Sequence, residues 1–154
     1  MILRTATARD LDALTAVEAA CFPAAEAATR EELAERLRAY GDHFWLLFDG
    51  ETLVSFVDGM VTDLPDLTDE MYADTSFHDE NGAWQMIFGV NTLPAYRKQG
   101  FAGRLLERAI ADAKAQGRKG LVLTCKDRLV HYYAKFGFVN EGVSESVHGG
   151  VTWY

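Results

Sequence analysis

The clearest chemical signal in the sequence lies between residues 90 and 104. An apolar, strand-like run ends at Pro94, and the segment Arg97-Lys98-Gln99-Gly100-Phe101-Ala102 then leads into a long amphipathic stretch. This order predicts a strand, a glycine-containing turn and a helix N-terminus. Such a turn directs several backbone N–H groups and the positive end of the helix dipole at one point. The sequence therefore predicts a binding site for a phosphate or pyrophosphate group.

Backbone geometry carries most of this prediction. The amides from Lys98 to Gly103 are expected to surround the anion. Gly100 lacks a Cβ atom, so the backbone can approach a ligand closely there. Arg97 has an alternative structural role, in which its side chain fixes the turn.

Hydrophobic periodicity and turn residues predict the elements that position this turn. Strands are predicted over residues 3–6, 44–48, 53–61, 84–93 and 120–125. Helices are predicted over residues 10–20, 29–40, 100–116 and 127–135, and a final hairpin over residues 138–142 and 146–153. Residues 63–80 are predicted to form an acidic loop with room for one short helix. This order predicts one α/β domain over residues 1–154, with a mixed sheet and helices on both faces.

Composition excludes several classes of protein. Hydrophobic residues make up 49% of the 154 residues, which suffices for a buried core, and no uncharged stretch approaches the length of a membrane span. The net charge of −8 argues against nucleic acid as the main partner. The N-terminus does not resemble a signal peptide. Because Cys21 and Cys125 have neither disulfide-framework nor metal-site spacing, we expect no metal and a reduced, cytoplasmic protein.

Charge is unevenly distributed along the chain. Residues 39–96 contain eleven Asp and Glu residues and no Lys or Arg, whereas ten of the fifteen basic residues lie between residues 97 and 135. This asymmetry suits a cation near one half of the chain and an anion near the other. On charge alone, an acidic surface that keeps the protein soluble is the simpler explanation.

Together these residues resemble the GCN5-related N-acetyltransferase (GNAT) superfamily. Its pyrophosphate-binding signature, Arg/Gln-x-x-Gly-x-Gly/Ala, matches residues 97–102, and Thr124-Cys125 ends the next strand as in the family. The following helix carries Tyr133 and Gly137-Phe138 in the family's Tyr-x-x-x-Gly-Phe pattern. The resemblance covers essentially the full chain. It implies a mostly antiparallel central sheet with a splayed central strand.

A closer similarity is to the arylalkylamine (serotonin) N-acetyltransferase branch. Residues 125–138 resemble that branch without a gap, and Cys21-Phe22-Pro23 does so less specifically. One departure is clear, because the two histidines on the central strand of the vertebrate enzymes correspond to Met86 and Phe88 here. The proton path assigned to that histidine pair therefore cannot be transferred to this chain.

The resemblance implies acetyl-CoA as the co-substrate. Its pantetheine arm is expected along the central strand, where a backbone N–H can also polarise the thioester carbonyl. Lys98 and Arg104 are candidates for contact with the ribose phosphate, although a solvated surface position is the favoured alternative for each. The expected cofactor-binding residues are Val90, Asn91, Thr92, Arg97, Lys98, Gln99, Gly100, Phe101, Ala102, Gly103 and Arg104.

The resemblance also implies catalytic roles. Tyr133 matches the tyrosine that protonates the leaving thiolate, with core packing as its alternative. Glu26, in the loop between the first two helices, is a candidate base or ammonium ligand, against an ordinary surface position. His148 in the final hairpin is a second candidate base, although a surface histidine is the simpler explanation, and His78 in the acidic loop is a third. Thr124 is expected to line the acceptor pocket.

We therefore expect a cytoplasmic, acetyl-CoA-dependent N-acetyltransferase that transfers the acetyl group directly to a primary amine. The expected acceptor is a small cationic amine, with arylalkyl amines as one candidate class, and the protein is expected to be a monomer or a homodimer. No nucleic-acid or membrane partner is expected. Two alternatives remain open, namely acetylation of a protein or peptide and a non-catalytic domain that senses coenzyme A.

Overall fold

The computed structural model describes residues 1–144 and Trp153. Its helices are Leu11–Cys21 (α1), Arg30–Tyr40 (α2), Glu70–Ala73 (α3), Phe101–Ala115 (α4) and Val130–Ala134 (α5). Its strands are Ile2–Thr5 (β1), Phe44–Asp49 (β2), Thr52–Asp58 (β3), Val61–Thr62 (β4), Trp84–Ile87 (β5), Gly89–Thr92 (β6) and Gly120–Leu123 (β7).

Within the described residues, the strands form two sheets that meet at a divided central strand. One sheet has the order β1-β2-β3-β6 and is antiparallel throughout, and the other has the order β4-β5-β7. In the second sheet, β4 is antiparallel and β7 is parallel to β5. This arrangement confirms the predicted α/β fold with a mixed, mostly antiparallel sheet.

The central strand is divided at Phe88, where the sequence predicts one strand over residues 84–93. Its first part, β5, pairs with β7 as far as Ile87 opposite Leu123. Its second part, β6, pairs with β3, so that Gly89 lies opposite Asp58. Because β7 has no ladder with β6 in the described structure, the two strands separate beyond Ile87. This separation is the splay that the family resemblance implies.

The strand predicted over residues 53–61 is also divided, because Gly59 passes directly against the backbone of β5. A Cβ atom at this position would lie 1.8 Å from the Met86 carbonyl oxygen, so no other residue type fits without a backbone shift. The chain then resumes as β4.

Helices cover both faces of the sheets and enclose two hydrophobic clusters. The cluster beneath α1 and α2 includes Leu14, Leu33, Phe44, Phe56, Met60 and Met86. The cluster beneath α4 and α5 includes Trp45, Val57, Leu105, Leu106, Ala109 and Tyr133. Helix α2 begins with the predicted capping box, in which Thr29 and Glu32 exchange two hydrogen bonds.

The C-terminal region differs most from the sequence predictions. Residues 138–142, predicted as a strand, are irregular within the described part of the chain, and Val139 is 84% exposed. Most of the predicted partner strand, residues 146–152, lies outside the described residues, although the Ser144 N–H donates to the Trp153 carbonyl at 2.7 Å. A strand needs a partner for its backbone groups, so its assignment depends on both halves of the hairpin.

The acidic loop over residues 63–80 contains the short helix α3 and a 3-10 turn over Thr75–Phe77. Among the helices of the described chain, none combines the length and apolar character that a bilayer crossing requires.

Candidate active site

The turn after β6 has the backbone of an anion-binding loop. Lys98 (φ 64°) and Gly100 (φ 80°) both adopt left-handed conformations, on either side of Gln99. This alternation curls consecutive N–H groups toward one side of the chain. A Cβ atom at Gly100 would meet no protein atom within 4 Å. Glycine is therefore favoured at this position by its backbone angle, whereas the sequence argument relied on close approach of a ligand.

The N-terminus of α4 follows this turn directly and adds its own donors. The first amides of a helix have no intrahelical acceptor, and the first backbone bond of α4 runs from the Arg104 N–H to the Gly100 carbonyl at 3.1 Å. The amides of Phe101, Ala102 and Gly103 are thus available to an anion. Gly103 also lets the helix pack closely on the turn that follows α5, because a Cβ atom there would lie 3.1 Å from the Phe136 ring.

The exposed side chains of this region do not all have the same role. Arg97 donates from Nε to the Thr92 carbonyl at 3.0 Å, so its side chain fixes the turn to the end of β6, as in the structural alternative considered above. Lys98, Gln99 and Arg104 are solvent-exposed. These three side chains are therefore sterically free to contact a bound phosphate group.

Strand β6 presents backbone groups to the gap that separates it from β7. The Leu93 N–H donates to the Val54 carbonyl at 2.9 Å, and hydrogen bonding alternates along an antiparallel strand. The backbone groups of Val90 and Thr92 therefore point away from β3 and into the gap. Those of Asn91 point toward β3, and its side chain is fully buried, so the structure does not bring Asn91 to the predicted pantetheine path.

A cavity of about 100 Å³ lies where β6 and β7 separate. Its walls come from α1, the loop between α1 and α2, α2 itself, residues 87–90, residues 123–125 and α5. This cavity brings together the predicted residues Tyr133, Glu26 and Thr124. Thr124 and Tyr133 also border a second cavity of about 770 Å³, which lies beside residues 66–70 and 138–144. His148 lies outside the described residues.

Tyr133 is buried in a hydrophobic cluster and also lines the cavity. Its ring packs edge-on against Tyr132 and Phe138, with ring centres 5.1 and 5.9 Å away. Burial raises the pKa of its phenol well above the ordinary value, and Cys125 and Tyr132 add to that rise. Tyr133 is therefore a neutral phenol at physiological pH, with a proton available to a group in the cavity.

Glu26 is buried in the cavity wall, where the sequence also allows an exposed surface position. Its Oε1 lies 2.8 Å from Nζ of Lys126, and that ammonium group lies 5.7 Å from the centre of the Trp153 ring. The charge of Glu26 is thus balanced by a neighbouring cation.

Glu18 is a site residue that the sequence reasoning did not identify. It lies in the middle of α1, is 5% exposed, and accepts the Ala28 N–H at 2.8 Å through Oε2. Burial and, to a smaller extent, the nearby Asp58 carboxylate raise the pKa of its carboxyl to about 7. A signal was present in the sequence, because Glu18 follows Leu14 by four residues and so falls on the apolar face of the helix.

A buried ion pair lies behind the cavity. Nη1 of Arg36 is 3.1 Å from Oδ2 of Asp58, and Nη2 donates to the Tyr72 carbonyl at 2.9 Å. The guanidinium group lies 5.0 Å from the centre of the Phe88 ring. Phe88, one of the two central-strand residues compared above with histidines of the arylalkylamine enzymes, therefore packs against a cation. Met86, at the other position, is fully buried in the core.

His78 belongs to a separate polar cluster rather than to the cavity. Its Nδ1 accepts the Val61 N–H at 3.0 Å, and its Nε2 lies 3.2 Å from Glu80, which also contacts His43 and Arg118. Since Nδ1 is an acceptor, Nε2 carries the proton of the neutral ring and donates to Glu80. His78 thus anchors the acidic loop.

The sequence of residues 11–138 matches the acetyltransferase (GNAT) family. The chain belongs to this family. The match spans the signature turn, the divided strand and the helix that carries Tyr133, and it confirms the acyltransferase fold with a coenzyme A thioester as its co-substrate. It does not specify the arylalkylamine branch.

Solved structures of other acetyltransferase-like proteins have the same fold. The GphF GNAT-like decarboxylase in complex with isobutyryl-CoA is 29% identical, with a TM-score of 0.74 over 90% of this chain and 73% of that chain. The loading GNATL domain of CurA from Lyngbya majuscula is 25% identical, with a TM-score of 0.75 over 86% of this chain and 68% of that one.

A third similarity is to the ribosomal-protein-S18-alanine N-acetyltransferase from Escherichia coli. It is 16% identical, with a TM-score of 0.69 over 92% of this chain and 79% of that one, and so it supports the fold alone. No curated protein sequence matches this acetyltransferase at a significant level.

Proposed function

We propose that this acetyltransferase transfers the acetyl group of acetyl-CoA directly to the primary amine of a small cationic acceptor. The observation that carries the proposal is the cavity at the separation of β6 and β7, which is lined by Tyr133 and by the acidic residues Glu18, Glu26 and Glu32. A proton donor and carboxylates are the groups that acetylation of an amine requires.

The donor side of the reaction follows from the turn and from β6. The amides of residues 98–103 bind the pyrophosphate, and the backbone groups of Val90 and the N–H of Thr92 pair with the pantetheine arm in the gap. The thioester carbonyl then lies at the cavity, within reach of the Val90 N–H. A backbone donor at this position stabilises the negative charge that develops on the carbonyl oxygen during attack.

Tyr133 assists departure of the sulfur. The amine nitrogen forms a bond to the carbonyl carbon, the carbon–sulfur bond breaks, and the thiolate that leaves receives a hydrogen bond and then a proton from the phenol. A thiol has an ordinary pKa of about 8.5, below that of a buried phenol. Complete proton transfer is therefore uphill, and the main contribution of Tyr133 is the hydrogen bond that stabilises the developing thiolate.

The charges in the cavity wall favour a cationic acceptor. Both cations of the wall are already paired, Arg36 with Asp58 and Lys126 with Glu26. Neither Glu18 nor Glu32 forms an ion pair of its own within the described structure, so the wall favours positive charge. Aromatic rings from Phe22, Tyr72, Phe88 and Trp153 also line it. This combination supports an arylalkyl amine as the acceptor class.

A decarboxylase is a second candidate function, favoured by the 29% identity to the GphF decarboxylase. Decarboxylation requires a carboxylate on the acyl chain of the thioester, and a site for that group needs an available cation. Because Arg36 and Lys126 are both paired, the cavity is better suited to an ammonium group than to a carboxylate.

Initial-rate measurements with a panel of acceptors test the proposed function. Phenylethylamine, an aliphatic diamine and a peptide with an N-terminal alanine are each combined with acetyl-CoA, and thiol release and product mass are followed. We expect acetylation of the small amines, with the arylalkyl amine preferred. Acetylation of the peptide alone would favour a protein acceptor.

Two further results would overturn the proposal. Carbon dioxide release from a 2-carboxyacyl-CoA, without any amine product, would establish the decarboxylase. Tight binding of acetyl-CoA and free CoA with equal affinity, with no acetylated product from any acceptor, would favour the sensor alternative.

A further inference from the structure

The cavity contains three carboxyl groups, and two of them already have structural partners. Glu26 is ion-paired with Lys126 at 2.8 Å. Glu32 accepts the Thr29 N–H at 3.0 Å through Oε1 and so closes the capping box of α2. The remaining carboxyl group of the cavity wall is that of Glu18.

Glu18 is held firmly by only one of its two oxygens. Oε2 accepts the Ala28 N–H at 2.8 Å, whereas Oε1 is buried and makes no hydrogen bond of ordinary geometry to any described residue. A Cβ atom at Gly89 would lie 3.7 Å from Oε1. Because glycine occupies that position, Oε1 faces the backbone of β6 directly, at the point where the central strand divides.

This location is next to the reacting atoms of the proposed reaction. The gap between β6 and β7 begins at residue 88, and Val90 directs its backbone groups into it. Gly89, which lies close to Glu18, directly precedes Val90 on this strand, and both residues line the cavity. Glu18 and Tyr133 line the same cavity, so a base and an acid are available to one acceptor site.

We propose that Glu18 is the general base that removes a proton from the acceptor ammonium group. This inference rests on the proposed amine acetylation. Glu18 takes the first proton, and the neutral amine attacks the thioester carbonyl. The nitrogen then loses a second proton, which reaches the coenzyme A sulfur through Tyr133, and Glu18 releases the first proton to solvent. The products are the amide, free coenzyme A and one proton.

The groups around Glu18 suit this role. It faces Asp58 on β3, Arg36 on α2, Asn91 on β6 and the thiol of Cys21 on its own helix. Burial and Asp58 raise the pKa of its carboxyl to about 7, while Arg36, Asn91 and the Ala28 N–H oppose that rise. A base is most effective when its pKa is close to the working pH.

The Glu18→Gln variant tests the inference, with Glu26→Gln as the matched control. Glutamine retains an oxygen that accepts the Ala28 N–H but cannot accept a proton at neutral pH. In the wild type we expect kcat/KM for the amine to fall below about pH 7. In Glu18→Gln we expect a loss of roughly 10²- to 10⁴-fold and no acidic limb. Glu26→Gln should retain the fall in kcat/KM at low pH.

A weakly basic acceptor provides a second test of the role of Glu18. Trifluoroethylamine is neutral at the assay pH and needs no base before attack. The loss caused by Glu18→Gln should be much smaller with this acceptor than with phenylethylamine, since the variant lacks only the deprotonation step. A purely structural role of Glu18 would reduce both rates equally.

The outcomes separate the inference from the proposed function. A wild type that acetylates no amine overturns both. An active wild type whose acidic limb persists in Glu18→Gln overturns the role of Glu18 alone. Coenzyme A affinity and the unfolding midpoint verify that the variant is folded. If it is not, Glu18→Asp replaces it, and this shorter carboxylate should keep an acidic limb at lower kcat/KM.

Discussion

Arg97 donates a hydrogen bond from Nε to the Thr92 carbonyl oxygen at 3.0 Å. This contact joins the signature turn to the last residue of β6, so the proposed pyrophosphate site and the proposed pantetheine path are held in one geometry. The Arg97 side chain thus contacts the protein's own backbone, and the backbone amides that follow it remain available to a ligand.

Arg97→Met should weaken coenzyme A binding roughly three- to tenfold, because the turn loses one hydrogen bond of about 1 kcal/mol. Calorimetric titration with coenzyme A measures the change. Lys98→Met removes the same charge from the same exposed turn but leaves the bond to Thr92 in place. Equal losses in the two variants would show that Arg97 acts through its charge alone.

Gly100→Ala should lower both stability and coenzyme A affinity. The left-handed backbone at φ 80° costs an alanine about 1–2 kcal/mol, and relaxation of that strain displaces the amides of the turn. Gly117→Ala is a matched control, because Gly117 has φ 77°, has no protein atom near its absent Cβ and ends α4 far from the turn. Both variants should unfold at lower urea concentration. Retained affinity in Gly100→Ala would contradict the role of the turn.

Tyr133→Phe should reduce kcat roughly 10²-fold while the affinity for acetyl-CoA stays nearly constant, since the phenol acts only when the sulfur leaves. Steady-state kinetics and direct titration separate the two effects. Tyr132→Phe is the control, because this neighbouring tyrosine does not line the cavity. An unchanged kcat in Tyr133→Phe would eliminate the proposed acid.

Glu18 should also make stability depend on pH. Its pKa is about 7 in the folded protein and near 4.5 in the unfolded chain. Between these two pH values the folded state therefore binds more protons than the unfolded state. The resulting stabilisation is fully present below about pH 4.5 and is lost as the pH rises through about 7. It amounts to about 3 kcal/mol at most. Urea unfolding at pH 5 and pH 8 measures this change.

The comparison with Glu18→Gln isolates that single group from every other titration. The variant should lose less stability than the wild type between pH 5 and pH 8. Parallel stability curves for the two proteins would mean that Glu18 has an ordinary pKa in the folded state.

The signature turn could be predicted from the sequence because it is formed by consecutive residues. Its strand end, glycine and helix start are contiguous, so residue types and spacing suffice to predict them. The same holds for the capping box of α2 and for the apolar face of α4, where short-range periodicity determines which side chains are buried. Tyr133 was found by its motif, although its burial and its neighbours were not.

The residues around the proposed acceptor site are brought together by contacts between segments far apart in the chain. Glu26 and Lys126 are separated by one hundred positions, and only the packed structure shows that they form an ion pair. The division of the central strand follows from the pairing of β5 with β7 and of β6 with β3, which no local pattern specifies.

The sequence by itself thus determined the family, the fold and the signature turn, because these depend on periodicity and on a contiguous motif. The tertiary structure decided which carboxyl groups share the cavity with Tyr133, which of them are already paired, and where the sheet opens. Those properties arise from desolvation and from charge pairing between distant segments, and both exist only once the chain has packed.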